Sequence, residues 1–113
     1  MHKYMMKEYQ NEVVSFFGYW PEFCDSPITK YENEEDTIQF NLNYIDSDKK
    51  MEGTVFLSFM GVTENELSIY EPGSVVDKLE IVEGDRYRVS IEPCYGLAGS
   101  FKCTSVVAKV TNA

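Results

Sequence analysis

Histidine is almost missing from this chain: of 113 residues only His2 is one. Catalysis by a nucleophile, an imidazole base and an orienting acid needs a positioned histidine, and the second residue sits where chain ends fray, so that class is not expected. Cysteine is scarce as well. Cys24, Cys94 and Cys103 are an odd number with no CxxC spacing, which points to reduced thiols more than to a disulfide framework and gives a Cys/His zinc site no support. Cys94 and Cys103 are the pair that could still meet across a hairpin. No run approaches the about 18 apolar residues of a membrane span. The basic start Met1 to Lys7 has no apolar stretch behind it, because Glu8, Gln10, Asn11 and Glu12 interrupt, so a secretory signal is not expected and the cytoplasm is the expected compartment.

Phosphate-binding loops, the GxSxG elbow and the dinucleotide fingerprint are also lacking. Gly96-Leu97-Ala98-Gly99 has no helix behind it and reads as a hairpin loop. Asp46-Ser47-Asp48 opens like a calcium loop, but Lys49 and Lys50 fall where further oxygen ligands are needed, which excludes it. No catalytic residue, cofactor site or metal site is therefore assigned, and an enzyme is not expected.

Acidic charge is plentiful. The net charge is −9, and it is local: residues 19–85 hold sixteen Asp or Glu against four Lys or Arg, residues 1–18 balance to zero, and residues 86–113 carry +3. Such a field repels nucleic acid and anionic lipid, which are not expected partners, and accelerates encounter with a basic protein. Solvated acidic surface also serves simple solubility. Hydrophobic content of 43% and aromatic content of 14% exclude a disordered chain. The length suits one domain over residues 1–113, burying roughly 65% of its unfolded surface.

Tyr9, Val13, Phe16 and Phe17 recur at helical spacing and predict one short amphipathic helix over about 8–17. Pro21 biases Trp20 away from helical geometry, so the helix should stop near Gly18. From about residue 28 to 111 the period is two. Ile38, Phe40, Leu42 and Tyr44 alternate with polar residues; a turn at 46–50 returns the chain into 53–60, where Val55, Leu57 and Phe59 share a face and Phe56 and Met60 suggest cover on the other. Further strands are expected at 66–71, 76–82, 86–92 and 100–111, the last with a bulge near Thr104-Ser105 because its apolar parity changes there. The fold class is α+β, mostly β: an antiparallel sheet or two-layered β-sandwich with one short N-terminal helix.

Glu32, Glu34, Glu35 and Asp36 form the densest acidic run. As a catalytic pair or a calcium cage they would need convergence that a run alone does not supply, so a solvated or partner-facing loop is the reading. Tyr31, Tyr44 and Tyr70 are the candidate aromatic anchors beside it. Fifteen Phe or Tyr residues leave a second reading open, a β-sandwich or barrel holding a small hydrophobic ligand.

Phe17-Gly18-Tyr19-Trp20-Pro21-Glu22-Phe23-Cys24-Asp25, together with Gly96-Leu97 before a last strand, resembles the bacterial polymorphic-toxin immunity protein family numbered fifty, over roughly residues 16–110. That family's Gly-x-Trp-Pro-x-Phe-His-Asp signature is matched at Gly18, Trp20, Pro21, Phe23 and Asp25, and its Gly-Leu element at Gly96 and Leu97; Cys24 stands where the family has His. The resemblance implies a small cytoplasmic protein that binds and blocks a cognate toxin domain and is not an enzyme; whether it is a monomer or homodimer is not readable from the sequence. An acidic surface suits a basic nuclease as that toxin. The exchange of His for Cys fits a buried packing role at position 24.

Overall fold

The computed structural model describes residues 7–111, and His2 lies outside them. A turn of 3-10 helix (Glu8–Gln10) runs into α1 (Asn11–Phe17). Seven strands follow: β1 (Ser26–Glu34), β2 (Thr37–Asp46), β3 (Met51–Met60), β4 (Val75–Val82), β5 (Tyr87–Tyr95), β6 (Gly99–Cys103) and β7 (Ser105–Thr111). They form an antiparallel sheet in the order β6-β5-β4-β1-β2-β3-β7. This is the expected mostly-β α+β fold.

Two corners fold the sheet over itself. Ser26 and Pro27 of β1 pair with β4, whereas the rest of β1 pairs with β2. β6 and β7 lie at opposite ends of the strand order yet are separated in sequence by Thr104 alone. The backbone N–H and hydroxyl of Thr104 both donate to the Met60 carbonyl, at 2.9 and 3.2 Å. The parity change read from the sequence at 104–105 is therefore a strand break that moves the chain from one layer to the other: Phe101 and Cys103 bury one set, Val106 and Ala108 the next.

The core lies between the layers. Ile38, Phe40 and Leu42 of β2 face Val55, Leu57 and Phe59 of β3, all six fully buried, as the period of two requires. On the outer side Phe56 is half-buried and Met60 is exposed, so the second face of β3 is only partly covered. Val13 and Phe17 of α1 enter the core, and Gly53 leaves room for Phe16 and Phe17, so close that a Cβ would stand 3.0 Å from the Phe16 ring. Gly18 ends the helix in the left-handed conformation (φ 92°), the usual helix C-terminal role of glycine.

One expected strand is absent. Residues 66–71 are irregular, although the chain from Thr63 to Ser68 lies along the outer edge of β6. Thr63 exchanges two backbone hydrogen bonds with Lys102, Glu66 N–H donates to Ser100 and Ser68 N–H to Ala98, each at 2.8 to 2.9 Å. Side-chain bonds from Asn65 to the Leu67 N–H and from Ser68 to the Ala98 N–H interrupt a regular ladder. Asn and Ser side chains compete for backbone groups in this way. The Cys94 and Cys103 pairing is also absent: Cys103 is buried opposite Tyr87 at one end of β5, Cys94 sits near the other end, and all three cysteines are free.

Candidate functional site

Two surfaces carry the side chains with chemical potential, one at each end of β2. The first is the β1–β2 hairpin. Its turn is made by Glu35, in the left-handed region (φ 47°), and Asp36. Glu34, Glu35, Asp36 and Thr37 border an open depression of about 520 Å³. Glu32 accepts a hydrogen bond from Gln39 at 3.2 Å, and Asp36 one from the Thr37 hydroxyl at 3.3 Å. The ion pairs among the described residues, Lys7 with Glu83 and Lys102 with Glu64, lie elsewhere. Among the described residues the hairpin carboxylates thus face solvent without a cationic partner.

Behind the hairpin stands a stacked tyrosine pair. A register shift in β1 between Thr29 and Glu32, with Lys30 at φ 51°, reverses the strand's parity and turns Tyr31 toward the core in place of Lys30. Tyr31 stacks on Tyr70 with ring centroids 4.5 Å apart and planes 14° from parallel, and more loosely on Phe40. The Tyr70 hydroxyl donates to the Ile28 carbonyl at 3.2 Å; Asn33 donates to the Tyr31 oxygen at 3.0 Å and accepts from Asn65 at 3.3 Å. Burial pushes the Tyr31 phenol up, against the opposing Asn33 bond. Ile69, 88% exposed, is next to Tyr70 in the chain. Of the residues singled out in the sequence, Tyr31, Tyr70, Glu32, Glu34, Glu35 and Asp36 belong to this end.

Tyr44 does not. It belongs to the second end, where the Tyr19 hydroxyl donates to Asp46 at 2.6 Å and lies 2.7 Å from that of Tyr44. Burial, then the bonds to Asp46 and Tyr44, push the Tyr19 phenol far above its ordinary value, and the Tyr19 bond holds the Asp46 carboxyl below its own. Lys49 is already engaged: its ammonium donates to the Phe17 carbonyl at 2.6 Å, completing the C-terminus of α1, and lies over the Tyr19 ring. These groups border an open depression of about 500 Å³ with Cys24, Asp25 and Asp48.

At the same end four side chains meet that the sequence did not bring together. Cys24 lies 3.9 Å from Asp77 Oδ1, and Cys94 lies 3.6 Å from Asp25 Oδ1 and 4.0 Å from Asp77 Oδ1. Three backbone irregularities deliver them. Phe23 and Asp25 both adopt left-handed φ, 63° and 60°, in a turn closed by a bond from Ser26 N–H to the Phe23 carbonyl. The β4–β5 ladder shifts register on both sides of Val76, leaving Cys94 and Asp77 without cross-strand partners. Bulges re-aim side chains, and paired left-handed residues of this kind persist only where surrounding packing imposes them. Here Phe23, fully buried and edge-on to Trp20 and Tyr44, supplies that packing. Loss of water around the sulfurs, then Asp25 and Asp77, raise both thiols above their ordinary value, the opposite of what a nucleophilic cysteine requires. Among the described residues no three His, Cys, Asp or Glu side chains close on a common point suited to a metal ion.

The signature segments are structurally one unit. Trp20 is half-buried, edge-on to Tyr9 and Phe23; Pro21 and Leu97 are buried. Gly96 has φ 87°, and a Cβ there would overlap the Ser74 hydroxyl, which accepts from Leu97 N–H at 2.9 Å while the Ser74 carbonyl accepts from Ile28 N–H. Asp25 and Cys94 thus join the two segments across 69 positions of sequence. Cys24 is exposed rather than buried, so it does not play the packing role expected from its small apolar character; its turn directs it outward.

Comparison with protein-family models, with curated proteins and with solved structures finds no match to this chain. No helix of the described residues is long and apolar enough to cross a membrane.

Proposed function

We propose that this chain is an immunity protein that acts in the cytoplasm by binding a cognate bacterial toxin domain and blocking it stoichiometrically, with no chemistry of its own. The observation that carries the reading is the hairpin end: uncompensated carboxylates at Glu34, Glu35 and Asp36, with Glu32, beside the held tyrosine pair Tyr31 and Tyr70. The carboxylates steer a basic partner and stand in for phosphates in the cationic cleft of a nuclease. The stacked rings offer apolar contact whose geometry is already fixed before binding, the arrangement that most often carries binding energy.

The reading of a small β-sandwich or barrel binding a small hydrophobic ligand has less support. Phe40, Phe59 and Phe101 pack on one another through centroid separations of 5.1 and 5.8 Å and are fully buried or nearly so. Aromatics packed on one another in this way fill the core themselves.

The test is a pull-down against the polymorphic-toxin C-terminal domain encoded beside this chain, followed by titration of that domain's activity. Activity should vanish at one equivalent. A folded, active toxin domain that neither binds nor loses activity at excess sinks the pairing.

A further inference from the structure

The segment from Thr63 to Ser74 runs from the edge of β6 toward β4 without regular structure, and it is tied down along its length. Besides its backbone bonds to Lys102, Ser100 and Ala98, Asn65 donates to Asn33 of the β1–β2 hairpin at 3.3 Å, and Tyr70 is held by its stack on Tyr31 and its bond to Ile28. The Glu71 carbonyl accepts from both the backbone N–H and the hydroxyl of Ser74, at 3.1 and 2.6 Å. Gly99 lets the segment approach β6 closely: a Cβ there would stand 2.9 Å from Leu67 Cα. Leu67 and Tyr70 pack against the core, yet Ile69 between them is 88% exposed, the most exposed of the large apolar side chains among the described residues.

We propose that Ile69 is the apolar anchor of the surface that meets the toxin domain, and that it seats in an apolar hollow of a basic partner surface. The inference rests on the immunity reading above and extends the interface from the hairpin to the segment Thr63–Ser74.

A lone exposed apolar side chain is ordinary on a protein surface. Ile69 differs in what holds it. Ser68 and Tyr70 on either side are both hydrogen-bonded, so the backbone beneath Ile69 is already ordered. A β-branched side chain has few rotamers to lose. Contact there costs little ordering, which is what converts buried area into affinity.

Charge selects the occupant. Residues 63–74 contain Glu64, Glu66 and Glu71 and no Lys or Arg. Glu64 pairs with Lys102 and Glu71 accepts from the Tyr95 hydroxyl, while Glu66 is in no ion pair among the described residues. Together with the hairpin carboxylates, joined to this segment through Asn33 and Asn65, they border Ile69, Tyr31 and Tyr70 with negative charge. An apolar centre with a polar rim is the usual anatomy of a protein interface. A second copy of this chain does not fit it, because self-pairing would set carboxylates against carboxylates. A basic surface with an apolar hollow is its complement.

The test measures Kd and both rate constants for the full chain and the toxin domain encoded beside it, with sedimentation of the free chain as control. Ile69→Ala should raise Kd by roughly thirtyfold, almost all of it through faster dissociation, with association rate, salt dependence and thermal unfolding at parent values. Ile69→Leu should stay within about threefold of the parent, since it keeps the buried volume. No binding by the folded parent chain overturns the immunity reading and the anchor with it. Parent binding with unchanged dissociation in folded Ile69→Ala overturns the anchor alone, as does a parent dimer that Ile69→Ala dissociates.

Discussion

The two ends of β2 are both acidic, and they are built in opposite ways. At the hairpin end Glu34, Glu35 and Asp36 stand on a short turn, exposed and in no ion pair among the described residues, and the ordered groups are the tyrosines behind them. At the other end Asp25, Asp46 and Asp77 are held by hydroxyls, thiols and backbone, on a turn forced into two left-handed residues and on a doubly shifted ladder. An open acidic turn acts at a distance, through its field. A constrained cluster acts at contact, because the backbone that carries it is fixed. The same residue types thus suit long-range steering at one end and short-range contact at the other.

The largest effect should come from removing what holds the constrained end. Phe23→Ala takes a fully buried ring away from Trp20 and Tyr44 and should cost about 3–5 kcal/mol in denaturant unfolding. A loss below about 1 kcal/mol would show that the turn is not imposed by this packing. At the hairpin end, Tyr31→Ala should weaken toxin binding by about 2 kcal/mol or more, roughly thirtyfold, if the stacked pair is an anchor. Unchanged affinity in calorimetry removes the pair from the interface.

A smaller effect separates the two ends by pH. The Asp46 carboxyl is held down chiefly by the Tyr19 hydroxyl, so its folded-state pKa lies below its unfolded one. Its contribution to stability is therefore complete above the ordinary carboxylate pKa of about 3.9 and is lost as pH falls through the depressed folded value. Unfolding free energies measured from neutral pH downward should fall less steeply below about pH 4 in Asp46→Asn than in the parent chain. Identical slopes would mean that the Tyr19 bond does not favour the ionised form.

Much of the fold was legible because alternation and turn chemistry are local. Ile38 to Tyr44 announced β2 and Gly18 with Pro21 announced the end of α1, whereas the parity change at Thr104-Ser105, read as a bulge within one strand, is a break between β6 and β7. Residues 66–71 misled because an apolar and polar mixture along a sheet edge looks like a strand, while Asn65 and Ser68 spend their side chains on backbone groups that a ladder would use. The acidic hairpin was visible as a run. The Cys24, Asp25, Asp77 and Cys94 cluster was not, because its members are spread over three segments and meet only through bulges and left-handed residues that leave no periodic trace. Tyr44 was grouped with Tyr31 and Tyr70 on residue type alone; its position seven residues along β2 from Thr37 carries it to the other end.

The central claim, that the open acidic end meets the partner, is tested most directly by stopped-flow association with the toxin domain across ionic strength. Glu34→Gln, Glu35→Gln and Asp36→Asn together should slow association at low salt by about tenfold and flatten its salt dependence, while Asp25→Asn with Asp77→Asn leaves both near the parent values. Parent-like rates and salt slope in the hairpin variant, with the loss appearing instead in the Asp25 and Asp77 variant, would contradict the account.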